Sequence, residues 1–210
     1  MKNIFIVCFL LLSGAGCSQK ESLENYPSVF NGELKGWTES FKNFDIHSFT
    51  NCSVRDFHEE TKINIKDSSW KNYMDLYKPI LSFSPDGRKF VDIYEYSLDL
   101  EKRNDSIFAN FAGETQTYLY DLNNKTQTKL FFLGFQGEAQ DVAWIDNDKF
   151  IITVTQNTDD TSQVEPRIYL GDCKKRKLYD FTSSDSTCCQ EIRGYSYPTK
   201  LDSLKIYDYP

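Results

Sequence analysis

The stretch ILSFSPDGRKFVDIYEY, residues 80–96, decides the fold. It contains two apolar segments, 80–83 and 90–96, on either side of the tetrapeptide Ser84-Pro85-Asp86-Gly87. Proline at the second turn position, with aspartate and glycine behind it, strongly favours a tight turn. The second segment is rich in β-branched and aromatic residues, which favour strands. The stretch therefore predicts two strands joined by a turn.

Two further strands complete a four-strand unit, and the same order then recurs. Residues 117–122 and 128–132 are the third and fourth predicted strands of the first unit. Phe83 corresponds to Trp144, 61 residues later, and Asp121 corresponds to Asp172, 51 residues later. The difference of ten predicts a longer loop after the second strand of the first unit. The predicted strands of the second unit are 141–145, 150–155, 167–170 and 177–181.

The residues Phe83-Ser84-Pro85-Asp86-Gly87 closely resemble the start of blades in the WD40-like and TolB-type β-propeller families. The resemblance covers residues 80–182, with blade-like repeats at 80–133 and 141–182. The second repeat keeps an aromatic residue, Trp144, but has Ile-Asp-Asn-Asp in place of Ser-Pro-Asp-Gly. The resemblance implies antiparallel four-stranded units. Since a ring typically needs about four or more blades, we expect a mostly β fold that is open or partial.

The residues before position 80 predict one or two short helices. Trp70, Tyr73, Met74 and Tyr77 follow the spacing i, i+3, i+4, i+7, which places them on one helical face. Asp67 is the predicted N-cap, and this aromatic stripe is interpreted as core packing. A shorter helix is predicted from Leu34, Trp37, Phe41 and Phe44.

Further strands are predicted outside the two units. Residues 62–66 alternate between charged or polar and apolar side chains, as a half-buried strand does. Another strand is expected between residues 45 and 66. The final stretch, 203–209, is predicted to pair with the edge of a sheet.

The N-terminal residues have the organisation of an export signal. Lys2 provides positive charge, residues 4–12 are uninterruptedly apolar, and residues 13–16 are small. Such a short apolar segment does not cross a hydrocarbon core about 30 Å thick, because a helix rises about 1.5 Å per residue. We therefore expect residues 1–16 to be a signal peptide.

The next residue gives this signal a particular meaning. Residues Gly14-Ala15-Gly16-Cys17 resemble the lipobox of bacterial lipoproteins. In that family the cysteine is acylated and becomes the first residue of the mature chain, so the resemblance implies that Cys17 is the lipidation site. Gly14 departs from the pattern, in which leucine is usual, and ordinary cleavage after Ala15 or Gly16 is the alternative. Beyond the cysteine we expect a polar lipidated tether, 17–27, and a single β-rich domain, 28–210.

Charge limits the range of partners. The chain carries 31 acidic and 24 basic side chains, a net charge of −7. A nucleic-acid surface needs clustered lysine and arginine, whereas the one basic run, 174–177, lies in a predicted turn. We therefore expect no nucleic-acid partner.

The cysteine count follows from export. If Cys8 leaves with the signal and Cys17 is lipidated, an even number remains in an oxidising compartment, which favours disulfides. We expect Cys173 to pair with Cys188 or Cys189, and Cys52 to pair with the other. A zinc site formed by Cys188, Cys189 and His58 is the alternative, but it lacks the usual C-x-x-C spacing.

No common catalytic motif is present. The two histidines, His47 and His58, form no H-E-x-x-H, and neither G-x-S-x-G nor a glycine-rich phosphate loop occurs. The acidic turns 146–148 and 158–161 lack the glycine and closing glutamate of an EF-hand. We therefore predict no catalytic residue, no cofactor and no metal site.

These observations favour an exported, membrane-anchored envelope lipoprotein that acts as a non-enzymatic binding or protein-interaction module. The expected partners are the membrane, through the lipid, and a protein or a glycan. The outer membrane is favoured over the inner one, with the domain facing the periplasm or the cell surface. The alternative is a lipid-anchored hydrolase that acts on glycans or peptides through a pair of its carboxylates.

Overall fold

The secondary structure is mostly β-sheet, and almost every strand pairing is antiparallel. This confirms the predicted mostly β, antiparallel fold with few helices. The described strands form four separate sheets, and no closed ring is formed by them. The computed structural model describes residues 21–58, 60–104, 106–157 and 164–183, and the backbone of 190–191 and 206–208.

The described elements are as follows. Two 3₁₀ turns cover Leu23–Asn25 and Ile46–Ser48, and the α-helices are α1 (Pro27–Phe30), α2 (Lys35–Thr38) and α3 (Ser68–Tyr77). The first strands are β1 (Phe41–Lys42), β2 (Phe49–Asp56), β3 (Glu60–Lys62), β4 (Ser82–Phe83), β5 (Lys89–Glu95), β6 (Leu98–Arg103) and β7 (Ser106–Phe111). The remaining strands are β8 (Thr115–Asp121), β9 (Thr126–Gly134), β10 (Gly137–Trp144), β11 (Lys149–Asn157), β12 (Val164–Asp172), β13 (Lys177–Ser183), β14 (Gln190–Glu191) and β15 (Ile206–Asp208).

The two larger sheets are built in the same way. In the first sheet the spatial order is β3-β9-β8-β5-β4, and in the second it is β10-β11-β12-β13-β2. Each sheet therefore contains four antiparallel strands in chain order plus one outer strand, and in the first sheet β6 and β7 intervene in the chain between β5 and β8. The outer strands β2 and β3 are close in the chain, so the segment between them links the outer edges of the two sheets.

The turns of the two units share their local chemistry. The side chain of Asp121 accepts a hydrogen bond from the backbone N–H of Asn124 (2.9 Å), and Asp172 does the same for Lys175 (2.9 Å). The residue that follows the donor has a φ of 53° in both turns; it is Lys125 in the first unit and Arg176 in the second. The correspondence between Asp121 and Asp172 thus extends to their hydrogen bonds.

The two large sheets pack face to face. Phe131 of β9 stacks on Tyr169 of β12, with ring centroids 4.5 Å apart. The indole Nε1 of Trp144 donates a hydrogen bond to the carbonyl of Ser82 (2.9 Å). The shared core also contains Val91, Ile93, Leu119, Leu130, Val142, Phe150, Ile152 and Val154.

Helical segments cover the two outer faces. Residues 23–49 cover the second sheet, and Trp37 is fully buried among them. Its Nε1 donates a hydrogen bond to Oε1 of Gln140 (2.8 Å). α3 covers the first sheet, where Trp70 lies against the ring of Phe90. The layers are therefore the N-terminal segment, the second sheet, the first sheet and α3.

The helix predicted around Trp70 is confirmed. Oδ1 of Asp67 accepts a hydrogen bond from the N–H of Ser69 (2.9 Å), and the helix ends at Tyr77, before Pro79. The helix predicted from Leu34 to Phe44 is shorter than expected, because only α2 is helical there and Phe41 belongs to β1.

The strand predicted at 62–66 is misplaced. β3 ends at Lys62 and the next residues form a turn, in which the side-chain oxygen of Asn64 accepts a hydrogen bond from the N–H of Lys66 (3.2 Å). Asparagine competes for backbone groups in this way and interrupts strands. The further strand expected between residues 45 and 66 is present as β2.

The polar stretch at 97–106, predicted as a loop, instead forms most of the hairpin β6–β7. Leu98 and Leu100 are buried in alternation with exposed charged residues. The hydroxyl of Tyr77 donates to the carbonyl of Leu98 (3.1 Å) and accepts from the N–H of Leu100 (2.9 Å). The extra residues of the first unit are therefore an ordered hairpin, and its edge pairs in parallel with β15, within the predicted C-terminal strand.

Candidate functional site

Only some of the cysteines predicted from the sequence to be lipidated or to form disulfides lie within the described residues. Cys17, Cys188 and Cys189 lie outside it. Cys52 is exposed on β2, and Cys173 is half-buried after β12; within the described residues neither cysteine forms a disulfide. They are therefore not bonded to each other, and their predicted disulfides to the other two cysteines stay predictions.

The two described thiols should differ in reactivity once the protein is reduced. Burial raises the pKa of the Cys173 thiol to about 12, although the nearby ammonium of Lys89 opposes the shift. Because the thiolate is the reactive form, iodoacetamide near pH 8 should modify Cys173 about a hundredfold more slowly than Cys52. Peptide mass spectrometry measures both rates. Unfolding the protein in urea should remove the difference, and equal rates in the folded protein would contradict the burial argument.

The described surface carries a cleft of about 250 Å³ beside α3, at the C-terminal end of β5. Tyr73 and Tyr77 line it from α3, and Tyr94 and Tyr96 line it from the other side. We call it the tyrosine cleft. Its remaining lining residues are Asp92, Glu95, Leu98, Asp99, Asn110 and Ala112.

A β-bulge shapes this cleft. Asp92 pairs with Tyr118 and Glu95 pairs with Gln116. Between these two pairs β5 advances by three residues while β8 advances by two, so β5 contains one extra residue. A bulge of this kind turns side chains away from the regular alternation. The residue that follows, Tyr96, has a φ of 64°, in the left-handed region that a bulky side chain rarely adopts, and it is 60% exposed. The strained backbone thus presents a tyrosine at the rim.

Asp92 is the buried carboxylate of the tyrosine cleft. The hydroxyl of Tyr73 donates to its Oδ2 (2.6 Å), and the N–H of Tyr94 donates to its Oδ1 (2.7 Å). Burial raises the pKa of Asp92, and these two hydrogen bonds partly oppose the shift. The acid therefore has partners for both oxygens, as a buried carboxylate requires.

Glu95 is the second carboxyl group of the cleft. Burial is the main cause of its raised pKa, and the negative charge of Asp92 raises the pKa further. Burial also raises the pKa of Tyr73, with a further contribution from Asp92. The raised pKa values of both acids show that charge is disfavoured here, which is typical of sites that bind polar ligands or transfer protons.

The cleft combines two kinds of recognition. Tyrosine rings offer flat apolar faces with a hydroxyl at one end. Carboxyl groups and the amide of Asn110 offer hydrogen-bond acceptors and donors beside those rings. A few polar groups among aromatic walls are the usual make-up of small-ligand sites.

Sequence reasoning does not select this cleft. The α3 stripe is interpreted there as packing, and it does pack, but its tyrosines Tyr73 and Tyr77 also line the cleft. One signal is present in the sequence. Asp92 interrupts an otherwise apolar strand, and a buried acid needs partners.

The histidines stand apart from the tyrosine cleft. Nδ1 of His47 lies 2.9 Å from Oε1 of Glu24, which raises the pKa of His47. His58 is exposed at the end of β2. Across the described ranges no group of three or more metal-ligating side chains occurs. Nor does any helix in those ranges have both the length and the apolar character to span a bilayer.

Comparison with known proteins gives no family. No protein-family model matches the chain, and no curated protein matches it. Among solved structures, it is similar to a crystal structure from Clostridium novyi NT, provisionally described as a conserved lipoprotein, at 10% identity and a TM-score of 0.35. The match covers 63% of this chain and 74% of that one.

Proposed function

We propose that this protein is an envelope lipoprotein, held on a membrane by acyl chains on Cys17, that binds a neutral glycan in the tyrosine cleft. The outer membrane is the proposed location. The observation that carries the binding proposal is the bulge that places buried Asp92 and half-buried Glu95 beside exposed Tyr96.

The chemistry of the cleft favours a sugar. A neutral sugar ring presents an apolar C–H face and a rim of hydroxyl groups. Tyrosine faces pack against the first, while carboxyl and amide oxygens accept hydrogen bonds from the second. A volume of about 250 Å³ is suited to one or two sugar rings rather than to a folded partner.

The position of Glu21 supports a fixed orientation on the membrane. Its carboxylate accepts hydrogen bonds from Lys149 (3.1 Å) and Lys175 (2.6 Å), and its side chain is 9% exposed. Three residues, 18–20, separate it from Cys17. Since a chain spans at most about 3.6 Å per residue, the lipidated residue would lie within about 14 Å of this contact.

The tyrosine cleft would then face away from the membrane. Lys89, at the start of β5, contacts Asp148 (2.9 Å), which is adjacent to Lys149 and thus to the Glu21 contact. Glu95 lies at the opposite end of β5, about 20 Å along the strand. A cleft on the distal end is accessible to glycans that approach from outside.

We also propose that the repeats at 80–133 and 141–182 are related to propeller blades. Four antiparallel strands of each large sheet lie in chain order, which supports this interpretation, and the edge strands β4 and β10 are close, since the hydroxyl of Ser82 donates to the carbonyl of Val142 (3.0 Å). We regard the domain as two blade-like units that pack together without forming a ring.

Binding to neutral oligosaccharides tests the function. On an array of neutral glycans, followed by calorimetry with the best ligand, Tyr96→Ala and Asp92→Asn should each weaken binding by about tenfold or more. The control is Val54→Ala, which removes an exposed apolar side chain from β2. Failure of every neutral glycan to bind with a Kd below about 1 mM would refute the proposal.

Hydrolysis is the second candidate, and it is favoured by the adjacent acids with raised pKa values, since glycosidases use a pair of carboxyl groups in this way. Chromatography of the bound oligosaccharide after incubation separates the two functions. Cleavage that is lost in Glu95→Gln would favour the hydrolase over the binding module.

A further inference from the structure

A second, larger cleft lies between Arg55 of β2, at the outer edge of the second sheet, and residues of β8 and β9 in the first sheet. Its volume is about 590 Å³, and its lining includes Arg55, His58 and Lys129 together with Tyr118 and Phe132. No carboxylate belongs to its lining among the described residues. Such a concentration of basic side chains is unusual in a chain whose net charge is −7. We call it the basic cleft.

Arg55 is held in place by aromatic rings. Its guanidinium carbon lies 5.3 Å from the ring centroid of Tyr169 and 5.9 Å from that of Phe131. Those two rings stack on each other and belong to the shared core, so they form a rigid support. The stacking fixes the guanidinium plane and reduces the entropy lost when it binds a ligand.

The hydrogen-bonding capacity of Arg55 is only partly used. Its Nε is buried and has no hydrogen-bond partner among the described residues. Asp180 is close enough to sense the charge of Arg55, but its carboxylate is ion-paired with Nε of Arg167 at 3.1 Å. The Arg55 side chain lines the basic cleft, and a planar guanidinium is suited to an oxyanion, which it binds with two parallel hydrogen bonds.

Lys129 supplies the second positive charge. It is half-buried on β9, and its Nζ lies 5.3 Å from the ring centroid of Phe132. Within the described chain neither Lys129 nor Arg55 has a carboxylate oxygen within 4.0 Å. Nearby basic residues differ, since Arg176 pairs with Glu60 (2.9 Å) and Lys177 pairs with Asp56 (2.7 Å).

The walls of the basic cleft offer more than charge. Phe132 is 48% exposed, so part of its ring is free to contact a ligand. Gln127 and Tyr118 supply polar groups from β9 and β8. The cleft therefore presents two cations, one exposed ring and neutral hydrogen-bonding groups within one cavity.

We infer that the basic cleft binds a ligand that joins an oxyanion to an apolar ring face, such as an acidic sugar. Arg55 and Lys129 bind the anionic group, His58 lies at the rim, and Phe132 packs against the ring. The site is separate from the tyrosine cleft, so it does not depend on the proposed binding of neutral glycans.

Calorimetry on the folded protein at low salt tests this inference. The probes are glucuronate, glucose, inorganic phosphate and sulfate. Glucuronate should bind at least about tenfold more tightly than the other three, because only it combines a carboxylate with a sugar ring. Its affinity should fall as the salt concentration rises, since salt screens exposed charges.

Variants identify the residues responsible. Lys129→Gln and Arg55→Gln should each weaken glucuronate binding by about tenfold or more. Lys102→Gln, which removes an exposed lysine from β6, is the control and should leave the affinity unchanged. If Arg55→Gln fails to fold, Lys129→Gln and Phe132→Ala still test the site.

Three results would overturn the inference. They are equal affinity for glucose and glucuronate, equal affinity for phosphate and glucuronate, and an affinity that Lys129→Gln leaves unchanged. Tyr96→Ala should not affect glucuronate, and Lys129→Gln should not affect a neutral glycan. Failure at one cleft is therefore distinguishable from failure at the other.

Discussion

Replacing Trp37 with alanine is expected to lower the free energy of unfolding by about 3–5 kcal/mol. The indole is fully buried between the N-terminal segment and the second sheet. It contacts the rings of Phe41 and Phe44 edge-on, with centroids 5.0 Å and 5.6 Å away. Alanine would leave a cavity that neighbouring β-strands cannot fill, because their backbone positions are fixed by the sheet.

A hydrogen bond adds to the loss. Nε1 of Trp37 donates to Oε1 of Gln140 (2.8 Å), and Gln140 also accepts from the hydroxyl of Thr155. Removal of the indole takes away one of the two hydrogen bonds to this buried oxygen, a loss of about 0.5–1.5 kcal/mol. Because domains are stable by only about 5–15 kcal/mol, this single change approaches the whole margin.

Urea unfolding followed by circular dichroism measures the effect. Trp70→Ala is the matched control, because Trp70 is only half-buried between α3 and the first sheet, and it should cost about 1–2 kcal/mol. Trp37→Phe should fall between the two, since it retains part of the volume but loses the hydrogen bond. A loss for Trp37→Ala no larger than that for Trp70→Ala would mean that the N-terminal segment does not cover the second sheet.

The parts of the fold that follow from local chemistry were predictable. The turn at Ser84–Gly87 has Gly87 at a φ of 68°, as its position in the sequence requires. Asp121 and Asp172 stand at equivalent positions, and each accepts the same backbone hydrogen bond. Turn residues determine the backbone conformation of only three or four neighbouring positions, so a turn is predictable from the local sequence alone.

The parts that depend on distant residues were not predictable. Leu98 and Leu100 are only two apolar residues in a charged stretch, and their strand is defined by contact with Tyr77 of α3. β2 pairs with β13, more than a hundred residues later, although its exposed face is polar. Strand pairing of this kind is decided by packing rather than by intrinsic preference.

The candidate sites were hidden for the same reason. Asp92 and Glu95 are common acids in a sequence with 31 of them. They become a pair only through the bulge opposite Tyr118, and α3 encloses them only in the folded chain. Arg55 and Lys129 meet across two sheets, and no spacing in the sequence relates them.

Replacing Cys17 with alanine is expected either to release the protein from membranes or to leave it as the unprocessed precursor. The proposed anchor consists of two or more acyl chains, which hold a protein stably, whereas a single chain binds only marginally. Without the thiol no acyl chain is attached, and the polar residues that follow provide no alternative anchor. The unprocessed precursor or a soluble form should accumulate instead.

Membrane fractionation and labelling with radioactive palmitate measure this result. Cys8→Ala is the matched control, because it removes a cysteine from the apolar segment of the proposed signal peptide, and that variant should keep both the label and the membrane association. Because Gly14 departs from the usual lipobox, ordinary cleavage is a real alternative that this experiment distinguishes from lipidation. If ordinary cleavage after Ala15 or Gly16 operates, Cys17→Ala will behave like the unaltered protein, neither form will carry palmitate, and the domain will work in solution rather than from a membrane surface.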